Sequence, residues 1–153
     1  MDELREQFET TQFIVIKYGD ESFGIDIKYV DNIVRMQRIT RVPKVQSYIK
    51  GVINLRGEVI PVISLRIKMN LEEDVITKAT RIIIIKLDSG DSIGVLVDEV
   101  QEVVTLENNQ IEKVSHSQND AVTNFIFGVG KDKDKDRLIS LLDINASFAE
   151  KEA

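Results

Sequence analysis

Two stretches of the chain decide the fold: Phe13–Val34, reading FIVIKYGDESFGIDIKYVDNIV, and Ile82–Val104, reading IIIIKLDSGDSIGVLVDEVQEVV. Each is an apolar strand, a polar turn, and a second strand that opens on a glycine. From that glycine onward the two run together at an offset of 70, pairing Gly24 with Gly94, Ile25 with Val95, Ile27 with Val97, Val30 with Val100 and Ile33 with Val103. One extra turn residue separates this match from the preceding strands, where Ile16 and Lys17 answer Ile85 and Lys86. A β-hairpin is written twice.

Each half then closes with another strand-turn-strand unit. In the first, Val52–Leu55 leads through Arg56-Gly57 into Glu58–Leu65; in the second, Phe125–Val129 leads through Gly130–Asp136 into Arg137–Leu142. VISL at Val62–Leu65 echoes LISL at Leu138–Leu141. Composition agrees: of 153 residues, 21 are Ile and 17 Val, against 15 Leu plus Ala. Side chains branched at Cβ are stiff at χ1 and pack well on a pleated sheet, whereas Leu and Ala favour helices. Short, regularly spaced strands with few helices predict a mostly-β chain of small barrels or a sandwich, and the duplication suggests two similar barrels packed through a shared core. Their approximate limits are 13–68 and 81–144, with exchange of strands near the termini between barrels left open, and since neither half alone has a large core, mutual burial is expected.

Helix is scarce. The spacing of Ile27, Val30 and Ile33 allows one helical turn leading into a strand, and Lys44–Lys50 and Leu65–Met69 allow single turns. Asp143 is a candidate N-cap for a C-terminal helix over 144–151, with Phe148 four residues beyond Ile144 to dock on the body. Residues 1–11 read as a flexible tail, and Glu107–Asn124, the least patterned segment, as loop.

The chain has no cysteine, which removes disulfides, thiolate nucleophiles and thiolate metal sites, and favours a cytoplasmic location. Its N-terminus lacks the apolar region of a signal peptide, and its longest aliphatic run, Ile82–Ile85, is far short of the roughly 20 residues of a membrane-spanning helix. A net charge of −6 disfavours binding to phosphate backbones. A protein partner or a small ligand fits better.

Motifs for chemistry fail on inspection. Gly128-Val-Gly-Lys131 resembles a phosphate loop, but Phe125 stands at the first glycine position and Asp132 where Ser or Thr should follow the lysine. The glycines read instead as the exit of a strand from its sheet. Asp132, Asp134 and Asp136 have the alternation of a calcium loop, yet Arg137 occupies the position that needs glycine and three lysines interleave, so a solvated hairpin tip is expected. His116, the single histidine, sits in a polar loop without a nucleophile elbow. Nothing singles out a carboxylate pair among the 26 acids. No enzyme, metal or cofactor is expected.

Ser47–Met69, SYIKGVINLRGEVIPVISLRIKM, stands apart. Arg56-Gly57 marks a turn on which a guanidinium can stand out from a rigid support, and arginine is enriched at interface hot spots; the plainer reading is a turn residue with a surface charge. Pro61 donates no ladder hydrogen bond, which suggests an edge or bulge.

At these residues the chain resembles the CheW family of bacterial chemotaxis coupling proteins. The similar motifs are FGIDIKYVDNIVRM (Phe23–Met36), ITRVP (Ile39–Pro43), IKGVINLRGEVIPVISLR (Ile49–Arg66), IGVLVDEVQEVV (Ile93–Val104), and FGVGK through DRLISLLDI (Phe127–Ile144), together spanning about Gln12–Ile144. One departure is Ser64, where many members carry Asp. The resemblance implies two packed five-stranded SH3-like β-barrels and a non-enzymatic adaptor. Its partners would be the regulatory domain of the histidine kinase CheA and the cytoplasmic hairpin tip of chemoreceptors. It would be monomeric alone, ring-forming with CheA, and recruited from the cytoplasm to membrane-associated arrays.

Carried over by position, the family's receptor contacts in the groove between barrels fall on Val30, Ile33, Arg56, Gly94, Val97 and Val103, and positions implicated in coupling on Lys50, Arg56 and Gly57. Aliphatic groove residues would accept the apolar face of a helical hairpin. For each of them core packing is the competing reading. A small-ligand or nucleic-acid-binding double barrel is the alternative function; it would need a basic groove with exposed aromatics, and the chain has 9 aromatics.

Overall fold

The computed structural model describes residues 9–114 and 123–148. The chain is mostly β, as expected, with eleven strands among the described residues: β1 Thr10–Tyr18, β2 Glu21–Asp26, β3 Val30–Arg35, β4 Ile49–Leu55, β5 Glu58–Ser64, β6 Arg81–Lys86, β7 Ser92–Val97, β8 Glu99–Glu107, β9 Ile111–Lys113, β10 Ile126–Asp132 and β11 Arg137–Leu142. Two short helices, α1 at Leu65–Lys68 and α2 at Ile144–Phe148, follow β5 and β11. A 3-10 turn at Ile27–Tyr29 leads into β3, where the sequence spacing allowed a helical turn.

The strands form a six-stranded sheet, β8-β1-β2-β11-β10-β9, and a five-stranded sheet, β3-β6-β7-β5-β4. They belong to two compact units, one comprising Met1–Ile27 with Gln101–Ala153, the other Lys28–Val100. These limits differ from the expected 13–68 and 81–144 because the duplicated hairpins are exchanged. The first hairpin, β1-β2, lies between β8 and β11 of the second half, and the second hairpin, β6-β7, lies between β3 and β5 of the first.

Each sheet closes on itself in the same way. Beyond β3 the chain returns to β4, where Thr40 and Val52 exchange two backbone hydrogen bonds of 2.8 Å. In the six-stranded sheet the edge strands β8 and β9 are consecutive in the chain, joined by a 3-10 turn at Asn108–Gln110. Both units are thus small SH3-like barrels, and the short β9 is the sixth strand that distinguishes the first.

The parallel pairings reset the internal repeat. Gly24 opposes Leu141 and its counterpart Gly94 opposes Val62, so Val62 corresponds to Leu141. VISL therefore matches Leu141–Ile144, LLDI, and the resemblance to LISL is three residues out of step. An odd slip exchanges the faces of a strand. In the corrected register Ser64 corresponds to Asp143, and both cap a helix: the Ser64 hydroxyl accepts from Ile67 N at 3.2 Å, and Asp143 Oδ1 from Ala146 N at 3.1 Å.

Burial explains the aliphatic run. Ile82, Ile84 and Leu96 join Ile53, Ile60 and Val62 in the core of the five-stranded barrel, while Phe13, Val15, Leu106, Ile139 and Leu141 fill the other. Ile83, Ile85, Val95 and Val97 project from the opposite faces of β6 and β7 and are also fully buried. Strands covered on both sides lose the polar alternation of a one-sided sheet.

Several expectations are corrected. β1 begins at Thr10, so residues 10 and 11 are strand rather than tail; residues 1–8 lie outside the described residues. The segment read as loop contains β9, paired with β10. β10 continues through Gly128 and Gly130 to Asp132, bonded to β11 with a shift of register between Ile126 and Gly128, so these glycines do not end a strand. Pro61 is in an interior strand; it is accommodated because the ladder with β7 starts only at Val62. Lys44–Lys50 forms non-helical turns before β4 begins at Ile49. Helix α2 ends its described course at Phe148, and His116 and positions 149–151 lie outside the described residues.

Candidate docking surface

β4 and β5 are joined by the two residues Arg56 and Gly57, with φ of 53° and 83°. Two positive φ values in a two-residue loop match the type I′ turn, whose twist suits antiparallel strands. Gly57 takes this conformation freely, and its N–H donates to Asn54 Oδ1 at 3.2 Å. Arg56 occupies a position that L side chains enter at a cost. Its side chain is exposed, and no hydrogen bond or ion pair engages it among the described residues.

The other expected positions separate by burial. Val30 on β3 is half-buried and Ile33 is exposed, 37% accessible. Both lie on an edge strand whose one ladder partner among the described residues is β6. Val103, on β8 in the other unit, is 48% exposed. Gly94 and Val97 are buried, Val97 completely, so the core reading replaces the contact reading for both. A Cβ at Gly94 would stand 2.8 Å from Ile82 Cγ2, which gives this glycine a packing reason of its own. Lys50 is half-buried near the start of β4, while Arg56 and Gly57 sit beyond its end, so the strand holds them apart.

Lys50 belongs to a polar network absent from the sequence reading. The Ser64 hydroxyl that caps α1 also donates to Asp74 Oδ2. The other oxygen of Asp74 is buried with no hydrogen-bond partner. Burial pushes this carboxyl above its ordinary value of 3.8, against the opposing pull of the Ser64 hydrogen bond and the positive charges of Arg66 and Lys50; Asp98 adds to the rise. Arg66 grips Asp98 with two hydrogen bonds, Nε to Oδ1 at 3.1 Å and Nη2 to Oδ2 at 2.5 Å, and donates to the Glu72 carbonyl at 3.2 Å. Two side chains of the β5–α1 junction thus pin the irregular segment between α1 and β6. The sequence reading assigns a helix start signal to Asp143 alone and misses this N-cap, although a serine directly before the turn at Leu65–Met69 is such a signal. Arg66 and Asp98, 32 residues apart, carry no local signal.

In the six-stranded unit, Arg137 performs a similar office. It donates to Asp132 Oδ2 at 3.0 Å, Gln101 Oε1 at 3.1 Å and Glu102 Oε1 at 2.5 Å, and Lys135 also bonds Glu102 at 2.7 Å. The Lys135 hydrogen bond, with Arg137, holds the Glu102 carboxyl below its ordinary range. Asp132 is buried and paired, which corrects its expected place on a solvated hairpin tip. Among the described residues no three acidic or histidine side chains gather as a metal site, and no helix is long and apolar enough to cross a membrane.

Comparison with known proteins supports the fold and the motifs together. Residues 12–152 match the model of the CheW-like domain. The chain is 38% identical over 144 residues to the chemotaxis protein CheW of Bacillus subtilis, covering 88% of this chain and 85% of that protein. It is 36% identical to that of Helicobacter pylori, covering 89% and 80%. The crystal structure of the scaffolding protein TtCheW from Thermoanaerobacter tengcongensis aligns with a TM-score of 0.83 at 31% identity, over 94% of this chain and 95% of that one. The two barrels, the GVINLRG turn and these relatives lead to one conclusion: the chain belongs to the CheW family of chemotaxis scaffold proteins.

Proposed function

We propose that this chain couples chemoreceptors to a histidine kinase by binding the CheA regulatory domain and the cytoplasmic hairpin tip of the receptors. It acts without catalysis, in the cytoplasm at membrane-associated receptor arrays. The observation that carries the reading is Arg56: an exposed guanidinium, without a partner among the described residues, on a stiff two-residue turn and in a conformation arginine does not prefer. Backbone strain retained under an exposed charge favours a use for that charge outside the fold. Arginine in such a place suits a carboxylate on the partner, which it can grip with two parallel hydrogen bonds.

Val30, Ile33 and Val103 are the aliphatic contacts proposed for the receptor, and Gly57 acts by permitting the turn. Gly94 and Val97 support the fold from within. In reconstituted assemblies of receptor, CheA and this protein, Arg56→Ala is expected to fold normally and lose receptor-dependent kinase activation, with binding weakened by about 2 kcal/mol. Unchanged activation would remove Arg56 from the coupling surface.

A further inference from the structure

The charge of the chain is unevenly placed. The unit Lys28–Val100 carries twelve basic and nine acidic residues, whereas the rest of the chain carries eight and seventeen. Within the basic unit the imbalance is sharper still: from Asn32 to Gly57 there is no acidic residue. Arg35, Arg38, Arg41 and Lys44 follow one another in this stretch, all exposed, and no hydrogen bond or ion pair engages their side chains among the described residues. Arg35 directly opposes Arg81 across the β3-β6 ladder, a like-charge pair that costs stability; Arg81 turns to the carbonyls of Lys78 and Thr80, both at 2.9 Å. No acidic side chain among the described residues pairs with the strip.

The strip is also held in place. Thr40 is bonded to Val52 on both sides of its peptide unit, and Ile39 packs on the barrel core. Gly51 lets the segment lie this close: a Cβ there would stand 2.2 Å from the Thr40 carbonyl oxygen. Two valines, Val42 and Val45, stand among the cations, each more than a third exposed. Four cations and two apolar side chains on an anchored segment form a surface whose complement is an acidic polypeptide bearing apolar side chains. Opposite charge steers and orients such a partner, and the valines supply contact area that salt does not screen. Phosphate backbones fit less well, because Tyr48 is the only aromatic between Asn32 and Gly57 on which a base could stack.

We propose that Arg35–Val45 is a docking surface for an acidic, apolar-bearing segment of a partner protein, separate from the Arg56 turn. The probe is a short fluorescein-labelled peptide alternating glutamate and leucine, titrated with the full-length protein by fluorescence anisotropy. Binding is expected to weaken as salt rises and to drop about tenfold in Arg38→Glu/Arg41→Glu. The charge-matched Lys131→Glu/Lys133→Glu and the coupling variant Arg56→Ala should both retain it. Val45→Ser should weaken binding by a factor that does not change with salt. Equal losses in the two double variants would overturn the proposal, as would tighter binding of a single-stranded oligonucleotide or of phosphatidylglycerol vesicles. A self-association abolished by Arg38→Glu/Arg41→Glu in sedimentation would assign the surface to a second copy instead, and also overturn it. The titration reads this surface alone and the reconstituted kinase assay reads coupling through Arg56, so failure of one is distinguishable from failure of the other.

Discussion

Asp74 shows how one side chain can be kept at a cost. Its carboxylate is held by Ser64 and attracted by Arg66 and Lys50, yet burial outweighs them and raises its pKa above 3.8. Because the folded value exceeds the unfolded one, the native protein holds this proton more tightly; the stabilisation is full below 3.8 and is lost as pH rises through the raised value. Asp74→Asn is therefore expected to raise Tm at neutral pH, with the advantage vanishing below 3.8, as read by thermal unfolding over a pH series. A lower Tm at neutral pH would mean that Arg66 and Lys50 win. Arg56 presents the opposite exchange: Arg56→Asn should stabilise the protein by about 1 kcal/mol, since asparagine tolerates the left-handed conformation, while abolishing coupling. Arg56-Gly57 was readable in advance because turn chemistry is local. The burial of Gly94 and Val97 was not, since a repeat pairs positions without saying which face of a strand is covered.

At the scale of elements, strand pairing is fastened by a few long side chains. Arg137 joins β11 to β10 through Asp132 and to β8 through Glu102. Arg137→Ala would strand a carboxylate that is only 10% exposed, and a loss of about 2 kcal/mol is expected in denaturant unfolding. Gly51→Ala should be at least as costly, because its φ of 145° and the Thr40 carbonyl leave no room for a methyl group; about 2 kcal/mol or more is expected, with the closing bridge to Thr40 disrupted. The hairpins were legible from their alternation and turns. β9 was not, since three residues with one aliphatic side chain make no pattern. The KDKDKD run hid its own division: Asp132 ends a strand and finds Arg137, while Lys133–Asp136 stays in solvent.

For the whole molecule, the duplicated hairpin announced two barrels, but not which half would supply each strand. Periodicity reports the faces of a strand and is silent about its neighbours, so the exchange of β1-β2 and β6-β7 lay beyond it. A protein cut within the irregular stretch between α1 and β6 is expected to regain its fold when the two pieces are mixed, with neither giving a cooperative transition by circular dichroism alone. A piece limited to 13–68 should likewise fail to fold, because β2 would lack β11 and β5 would lack β7. The same interlock bears on synthesis. Gly24 must wait for Leu141, 117 positions later, before its ladder can form. A chain emerging from the ribosome thus carries its first hairpin unfinished until almost the last strand has been made, with Phe13, Phe23 and Ile25 uncovered meanwhile. Contacts so distant in sequence slow folding. Completion of the first barrel therefore waits on β11, and these apolar side chains stay uncovered over a longer stretch of synthesis than two consecutive barrels would require.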